Sequence, residues 1–183
     1  MAKAFDHIGN DHARFIRNQP IFFVATAAAN GHINLSPKGY DTLRVVGPNR
    51  VCWLNLTGSG NETAAHLLAD GRITLMLCAF SGDPMILRLY GTARTVHPRD
   101  AEWEALIALF PDTPGYRQVI DMQVERVQSS CGFSVPEMEF TGERTRLKEW
   151  AQGRGPEGLV KYWREKNAVS MDGLPTGIDP ALD

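Results

Sequence analysis

Residues 51–63 read VCWLNLTGSGNET. An apolar strand pattern runs into two glycines and several short polar side chains, and the residues that follow predict a helix over Asn61–Asp70. Ser59, Asn61 and Thr63 can cap this helix with their side-chain oxygens. Free backbone N–H groups and the positive end of the helix dipole would then face an anion. The stretch therefore predicts a phosphate site where a strand leads into a helix; the alternative is a helix cap without a ligand.

The two familiar nucleotide-binding loops do not fit this stretch. A Walker loop ends in Gly-Lys followed by Ser or Thr, whereas Gly60 is followed by Asn61 and Glu62. The dinucleotide fingerprint requires a third glycine where Thr63 stands, and it requires a parallel β-α-β unit. The turn signals around the stretch describe antiparallel hairpins instead. The phosphate site is therefore predicted to belong to an antiparallel fold.

Strand patterns separated by turn sequences surround the stretch. They are Ile21–Ala29, His32–Pro37, Leu43–Val46, Val51–Leu56, Arg72–Phe80, Met85–Val96 and Asp121–Ser129. Asn30-Gly31 is typical of a tight type I′ turn between the first two, and Gly47-Pro48-Asn49 joins the next two. Six or seven antiparallel strands predict a mainly β (α+β) fold, an antiparallel barrel with peripheral helices.

Helical patterns lie outside the predicted sheet. They are Phe5–Gln19, Pro98–Phe110, Glu143–Gln152 and Pro156–Lys166. The tail from Ala168 is rich in turn formers, so we expect it to be extended unless it is tied to another surface. The predicted organisation is a barrel domain with an N-terminal helix over residues 1–140, and a helical extension with a tail over residues 141–183 that packs on the same domain.

Composition narrows the class of protein. The chain has 183 residues, of which 43% are hydrophobic, which suits one compact domain. Its 19 basic and 21 acidic residues argue against a nucleic-acid or anionic-membrane partner. There is no apolar run of about 20 residues and no signal-peptide core, so a cytoplasmic location is predicted. The three cysteines and five histidines lack the spacing of a disulfide framework or a metal site, and no metal is predicted.

Several motifs follow one another between Phe15 and Val96. They are, in order, Phe23-Val24-Ala25-Thr26, Asn30-Gly31, Ser36-Pro37-Lys38-Gly39-Tyr40-Asp41, Leu56-Thr57-Gly58-Ser59-Gly60-Asn61-Glu62-Thr63, Asp70-Gly71-Arg72-Ile73 and Leu87-Arg88-Leu89-Tyr90-Gly91. In this order they resemble the motifs of the pyridoxamine 5′-phosphate oxidase-like flavoproteins. In that family FMN lies on a six-stranded split β-barrel at a dimer interface. The resemblance therefore implies a split β-barrel, FMN as the cofactor and a homodimer with FMN at its interface.

The resemblance also implies which residues bind FMN. They are Ser36, Pro37, Lys38, Leu56, Thr57, Ser59, Asn61, Glu62, Thr63 and Arg88. Lys38 stands where a family lysine reaches the phosphate, and Leu56 and Thr57 stand where the family borders the flavin ring. In the oxidase proper an Arg-Lys pair stands where this chain has Glu62-Thr63, so the phosphate would have one or two fewer cations here. Arg88 is expected either to supply that charge or to form a buried or interface ion pair.

The function implied is that of an FMN-dependent oxidoreductase, which transfers hydride or electrons between FMN and a small molecule. The carboxy-terminal substrate-phosphate motifs of the true oxidase have no visible counterpart, so pyridoxamine phosphate is not the expected substrate. Helices with Trp150, Tyr162 and Trp163 stand in their place. Two alternatives remain open: a flavin-binding carrier or sensor without turnover, and an empty barrel used for assembly.

Overall fold

The computed structural model describes residues 2–178. Its strands are β1 (Lys3–Phe5), β2 (Phe22–Thr26), β3 (Asn34–Lys38), β4 (Leu43–Gly47), β5 (Arg50–Leu56), β6 (Arg72–Cys78), β7 (Met85–Val96) and β8 (Tyr116–Cys131). Its helices are α1 (Asn10–Asn18), α2 (Glu62–Ala69), α3 (Trp103–Ile107) and α4 (Arg146–Lys166). The prediction of a mainly β, antiparallel split barrel with peripheral helices is confirmed.

One antiparallel sheet runs through the described chain in the order β3-β2-β6-β7-β8-β5-β4. The long strands β7 and β8 form its centre and pair from Met85 with Cys131 to Val96 with Val119. The C-terminal half of β8 also pairs with β1, which adds a short eighth strand to the seven in this order. The predicted start of the helix Phe5–Gln19 was wrong, because α1 begins only at Asn10. Residues Lys3–Phe5 instead pair with the free edge of β8 as strand β1.

The predicted hairpins differ in how closely the structure follows them. Gly47 pairs with Arg50, so Pro48-Asn49 makes the tight turn between β4 and β5. The prediction of a tight turn at Asn30-Gly31 was wrong, because β2 ends at Thr26 and a seven-residue loop precedes Asn34. This loop is held from the far end of the chain, where Asp172 accepts hydrogen bonds from the His32 backbone N–H at 2.8 Å and pairs with its Nδ1 at 2.7 Å.

The apolar core lies between the faces of the curved sheet. Trp53, Leu75, Leu87, Leu89 and Ile120 are fully buried there. A smaller cluster forms under α3, where the apolar side chains of the helix cover the ends of β5, β7 and β8. The predicted helix Pro98–Phe110 is shorter in the structure, where α3 covers Trp103–Ile107 and the residues on either side form turns. The buried side chains of β5 fix the strand that leads into the loop before α2, where Thr57, Ser59 and Asn61 of the predicted site lie.

The C-terminal part of the chain is hydrogen-bonded to the loop before α2 and to the start of β8. The two predicted helices appear as α4, interrupted at Gly155, where φ is 65° and ψ is 174°. The described part of the tail folds back on itself through a bridge between Val169 and Pro175. Residues 179–183 of the predicted tail, and Met1 of the predicted first domain, lie outside the described residues. No helix within residues 2–178 has the length and apolarity needed to cross a bilayer.

Candidate functional site

A cavity of about 420 Å³ opens where β3 and β5 end and α2 begins. Nine of the ten predicted site residues line it: Ser36, Pro37, Lys38, Leu56, Thr57, Ser59, Asn61, Glu62 and Thr63. The fold therefore brings together segments that are distant in sequence. The tenth residue, Arg88, does not line this cavity. It lies on β7 and its Nη1 donates to Ser130 Oγ at 3.3 Å, and no carboxylate within residues 2–178 pairs with it.

The loop after β5 is fixed by side chains and backbone from other elements. The Thr57 N–H and hydroxyl both donate to the carbonyl oxygen of Gly115, at 2.8 and 2.7 Å. Trp163 Nε1 donates to the same Thr57 hydroxyl at 2.9 Å, which ties α4 to the loop. Asn167 Nδ2 donates to the carbonyl oxygen of Gly58 at 3.1 Å. The polar groups of Thr57 thus hold the loop in place, and the C-terminal part of the chain closes one side of the cavity.

The start of α2 differs from the prediction of a capped helix. Asn61 occupies the N-cap position, but no side chain among the described residues caps the first turn. Asn61 Oδ1 instead accepts from Asn55 Nδ2 at 3.5 Å, and Thr63 Oγ1 accepts from Asn34 Nδ2 at 3.2 Å. The first N–H groups of a helix have no intrahelical acceptor, so this positive end remains available to an anion.

Two cations face the cavity. Lys38 lies at the end of β3, and Arg117 is the second residue of β8. Burial, followed by the charge of Arg117, lowers the pKa of Lys38 to about 8. Burial lowers the pKa of Arg117 to about 9, and its Nη1 donates to the amide oxygen of Asn167 at 2.6 Å. No carboxylate within the described residues lies within ion-pair distance of either cation.

Other polar groups in the wall lack partners. Ser36 Oγ, Asn61 Nδ2 and Arg117 Nε are buried without a hydrogen bond within residues 2–178. Leaving one such group unsatisfied costs about 1–3 kcal/mol, so three at one cavity call for a ligand that accepts hydrogen bonds. The Glu62 carboxylate lies at the same cavity and is engaged by the backbone N–H of Met171, at 3.1 and 3.3 Å. The donor set fits a phosphate group.

The backbone after Lys38 is strained. Tyr40 and Asp41 have φ values of 62° and 52°, a region that residues other than glycine rarely adopt. The bend is held by the segment before α4, because the Tyr40 N–H donates to Glu143 Oε1 at 3.1 Å and its hydroxyl donates to the carbonyl oxygen of Arg144. Strain of this kind persists only where the surroundings enforce it, and it concentrates at functional sites.

Sequence analysis missed Arg117 and Asn167. The alternating pattern predicted the last strand from Asp121, whereas β8 begins five residues earlier, at Tyr116. An arginine next to the apolar run of a buried strand is an unusual residue, and this signal could have drawn attention to Arg117. Nothing local marks Asn167, because its partner Arg117 lies 50 residues away in sequence.

The pKa of Lys38 leads to a testable pH dependence. In the folded, ligand-free protein Lys38 loses its proton near pH 8, whereas the unfolded chain keeps it to about pH 10.5. The unfolded chain therefore binds more protons in this window, and we expect the free energy of unfolding to rise with pH by on the order of 1–3 kcal/mol. Denaturant unfolding of wild type and Lys38→Met across the window measures this effect. Equal pH dependence of the two proteins would contradict the assignment.

Comparison with known proteins gives consistent results. The family model described as pyridoxamine 5′-phosphate oxidase matches residues 8–131, more than half of the chain. The pyridoxamine 5′-phosphate oxidase family protein ustO of Aspergillus flavus is 36% identical, over 90% of this chain and 73% of that protein.

Two solved structures share the fold. HupZ of Group A Streptococcus is 22% identical, with a TM-score of 0.54 over 66% of this chain and 91% of that chain. A Lactobacillus delbrueckii protein with the provisional name pyridoxamine 5′-phosphate oxidase is 20% identical, with a TM-score of 0.54 over 67% of this chain and 94% of that chain. Together with the family match, these likenesses lead to one conclusion: the chain belongs to the pyridoxamine 5′-phosphate oxidase family.

Proposed function

We propose that the cavity binds FMN and that the protein is an FMN-dependent oxidoreductase acting on a small molecule. The observation that carries the proposal is the pair of cations, Lys38 and Arg117, which share one cavity without a carboxylate partner in the described chain. The open N-terminus of α2 lies in the same wall. A phosphate ester is the anion that this combination of point charge, guanidinium and helix N-terminus suits best. Membership of the family favours FMN as the molecule that carries it.

The rest of the cavity suits the remainder of FMN. Pro37, Leu54, Leu56 and Leu147 give the wall an apolar part, which a flavin ring requires. When bound, FMN would supply the hydride or electron transfer. The residues of the chain would hold the phosphate, position the ring against the apolar wall and exclude water. Lys38 and Arg117 would also make the cavity favourable for negative charge.

A carrier or sensor without turnover is the second candidate function. The cavity volume of about 420 Å³ is near the lower end of the range for ligand sites, which favours a pocket filled by the cofactor alone. Tyr40 in the cavity wall is also tied to the segment before α4 through its bonds to Glu143 and Arg144. Reduction of bound flavin by NADH or NADPH, followed by reoxidation in air at steady state, would distinguish an oxidoreductase from a carrier.

We also propose a homodimer with FMN at its interface. β3 is an edge strand, and Ile33 and Leu35, beside it and on it, are 77% and 66% exposed. An exposed edge strand with large apolar side chains is normally covered, and β3 carries three of the predicted site residues. A second copy that covers this edge would lie next to the cavity.

The test is the absorbance spectrum of the purified protein, recorded together with its mass in solution and with identification of the molecule released on denaturation. We expect flavin absorbance, a dimeric mass and free FMN. A spectrum of another cofactor, such as haem, would contradict the proposal. A colourless protein that also fails to bind added FMN would contradict it equally.

A further inference from the structure

Asn167 connects three parts of the molecule at the cavity. It follows α4, is fully buried and belongs to what we term the C-terminal arm, residues 143–178. Its Oδ1 accepts from Arg117 Nη1 at 2.6 Å, and its Nδ2 donates to the Gly58 carbonyl oxygen at 3.1 Å. Its own carbonyl oxygen accepts from the buried Thr176 hydroxyl at 2.7 Å. One side chain thus links the arm to β8 and to the loop before α2.

The chemistry of this link is unusual for a buried guanidinium. Arg117 is only 4% exposed, and within residues 2–178 its one hydrogen-bond partner is the neutral amide of Asn167. Buried arginines are normally paired with carboxylates. An aspartate at position 167 would have almost the same shape and would cancel the charge. The asparagine holds the guanidinium in position and leaves its charge in place.

We propose that Asn167 is a positioning residue of the anion site: it holds Arg117 at the cavity while leaving the positive charge for a bound phosphate, so that docking of the C-terminal arm and phosphate binding stabilise each other. This inference rests on the proposed function only for the identity of the phosphate ester. It assigns to the arm a role in binding that the family match, which ends at residue 131, does not cover.

The arm touches the phosphate-facing elements at several further points. Trp163 donates to Thr57, and the Met171 N–H donates to the Glu62 carboxylate. A ligand that fixes Arg117 and the start of α2 therefore stabilises the surfaces on which the arm docks. Because linkage is reciprocal, a docked arm must raise the affinity for the ligand by the same factor as the ligand favours the docked arm.

The test compares Asn167→Asp with wild type, using FMN, riboflavin and inorganic phosphate as probes. Riboflavin lacks the phosphate, so it reports on the ring alone. We expect Asn167→Asp to weaken FMN binding at least about tenfold, to change riboflavin binding less than about threefold, and to abolish the rise in melting temperature that phosphate gives the wild type. Asn10→Asp, which adds the same charge at an exposed position of α1, is the matched control and should behave as wild type.

A second variant keeps the inference testable if Asn167→Asp does not fold. Asn167→Ala keeps the charge of Arg117 but removes its anchor. We expect its arm, which carries the exposed Lys161 and Arg164, to be cut by trypsin faster than in wild type, and phosphate to protect the arm in wild type far more than in the variant. Equal protection by phosphate in both proteins would overturn the inference.

The outcomes separate this inference from the proposed function. If wild type binds no FMN but phosphate stabilises it and not Asn167→Asp, the FMN function fails and the role of Asn167 stands. If FMN and riboflavin lose affinity equally in Asn167→Asp, or if neither loses affinity, the positioning role fails while FMN binding stands. If phosphate stabilises wild type and Asn167→Asp equally, the positioning role also fails.

Discussion

Replacing Lys38 by methionine is expected to stabilise the ligand-free protein and to weaken FMN binding roughly 10- to 100-fold. The ligand-free protein holds Lys38 close to Arg117, and both burial and that second charge disfavour its ammonium, as its lowered pKa records. Removing the cation should raise the free energy of unfolding by on the order of 1–3 kcal/mol near pH 7. The loss of affinity follows from one charge-assisted contact to the phosphate, worth about 1.5–3 kcal/mol.

Thermal unfolding of the ligand-free protein and fluorescence titration with FMN measure the two effects on one sample. Lys161→Met is the matched control, because the Lys161 side chain is 77% exposed and is not part of the cavity. It should change neither the melting temperature nor the affinity appreciably. A Lys38→Met protein that melts below wild type, or that binds FMN as tightly, would show that the cation is not held for an anion.

Replacing Gly91 by alanine is expected to destabilise the fold by at least about 3 kcal/mol, which lowers the melting temperature by on the order of 10 °C. Gly91 lies on β7 at the point where its register with β8 shifts after Tyr90. A Cβ at Gly91 would lie 2.0 Å from the carbonyl oxygen of Gln123, an atom of the neighbouring backbone that cannot move aside. Because β7 and β8 form the centre of the sheet, separating them there disrupts the core on both sides.

Gly153→Ala provides the control for this prediction. Gly153 lies in the first half of α4, and a Cβ there would meet no described atom within 4 Å beyond its chain neighbours and the backbone of its own helix. Alanine in a helix is favoured over glycine by up to about 1 kcal/mol, so this variant should melt at or slightly above the wild-type temperature. Similar melting temperatures for Gly91→Ala and Gly153→Ala would disprove the close approach at Gly91.

The strands of the barrel follow from local sequence because alternation and turn chemistry act over short distances. Met85–Val96 was predicted with the bounds that β7 has, and Pro48-Asn49 lies at the predicted turn. Local signals failed where a distant segment decides the conformation. The loop after Thr26 is shaped by Asp172, and Lys3–Phe5 is a strand only because β8 offers an edge.

The same distinction applies to the site. The residues of β3 and of the loop before α2 could be found from motif order, and the fold gathers them around one cavity. The side chain that accompanies Lys38 there is Arg117 and not the predicted Arg88, because the inward face of β8 depends on its pairing with β5 and β7. Whether the gathered residues bind FMN remains a prediction.

The link between Arg117 and Asn167 also orders events during synthesis. The last strand of the barrel, β8, ends at Cys131, 36 residues before Asn167, which at about 5–20 residues per second means a delay of roughly 2 to 7 seconds. During this delay the nascent chain carries all the strands of the barrel, but it lacks Asn167, the residue whose side chain holds Arg117 in place. If Asn167 positions Arg117 as proposed, a phosphate ester is captured in its final geometry only after translation has passed residue 167, and we expect shorter ribosome-bound chains not to bind it.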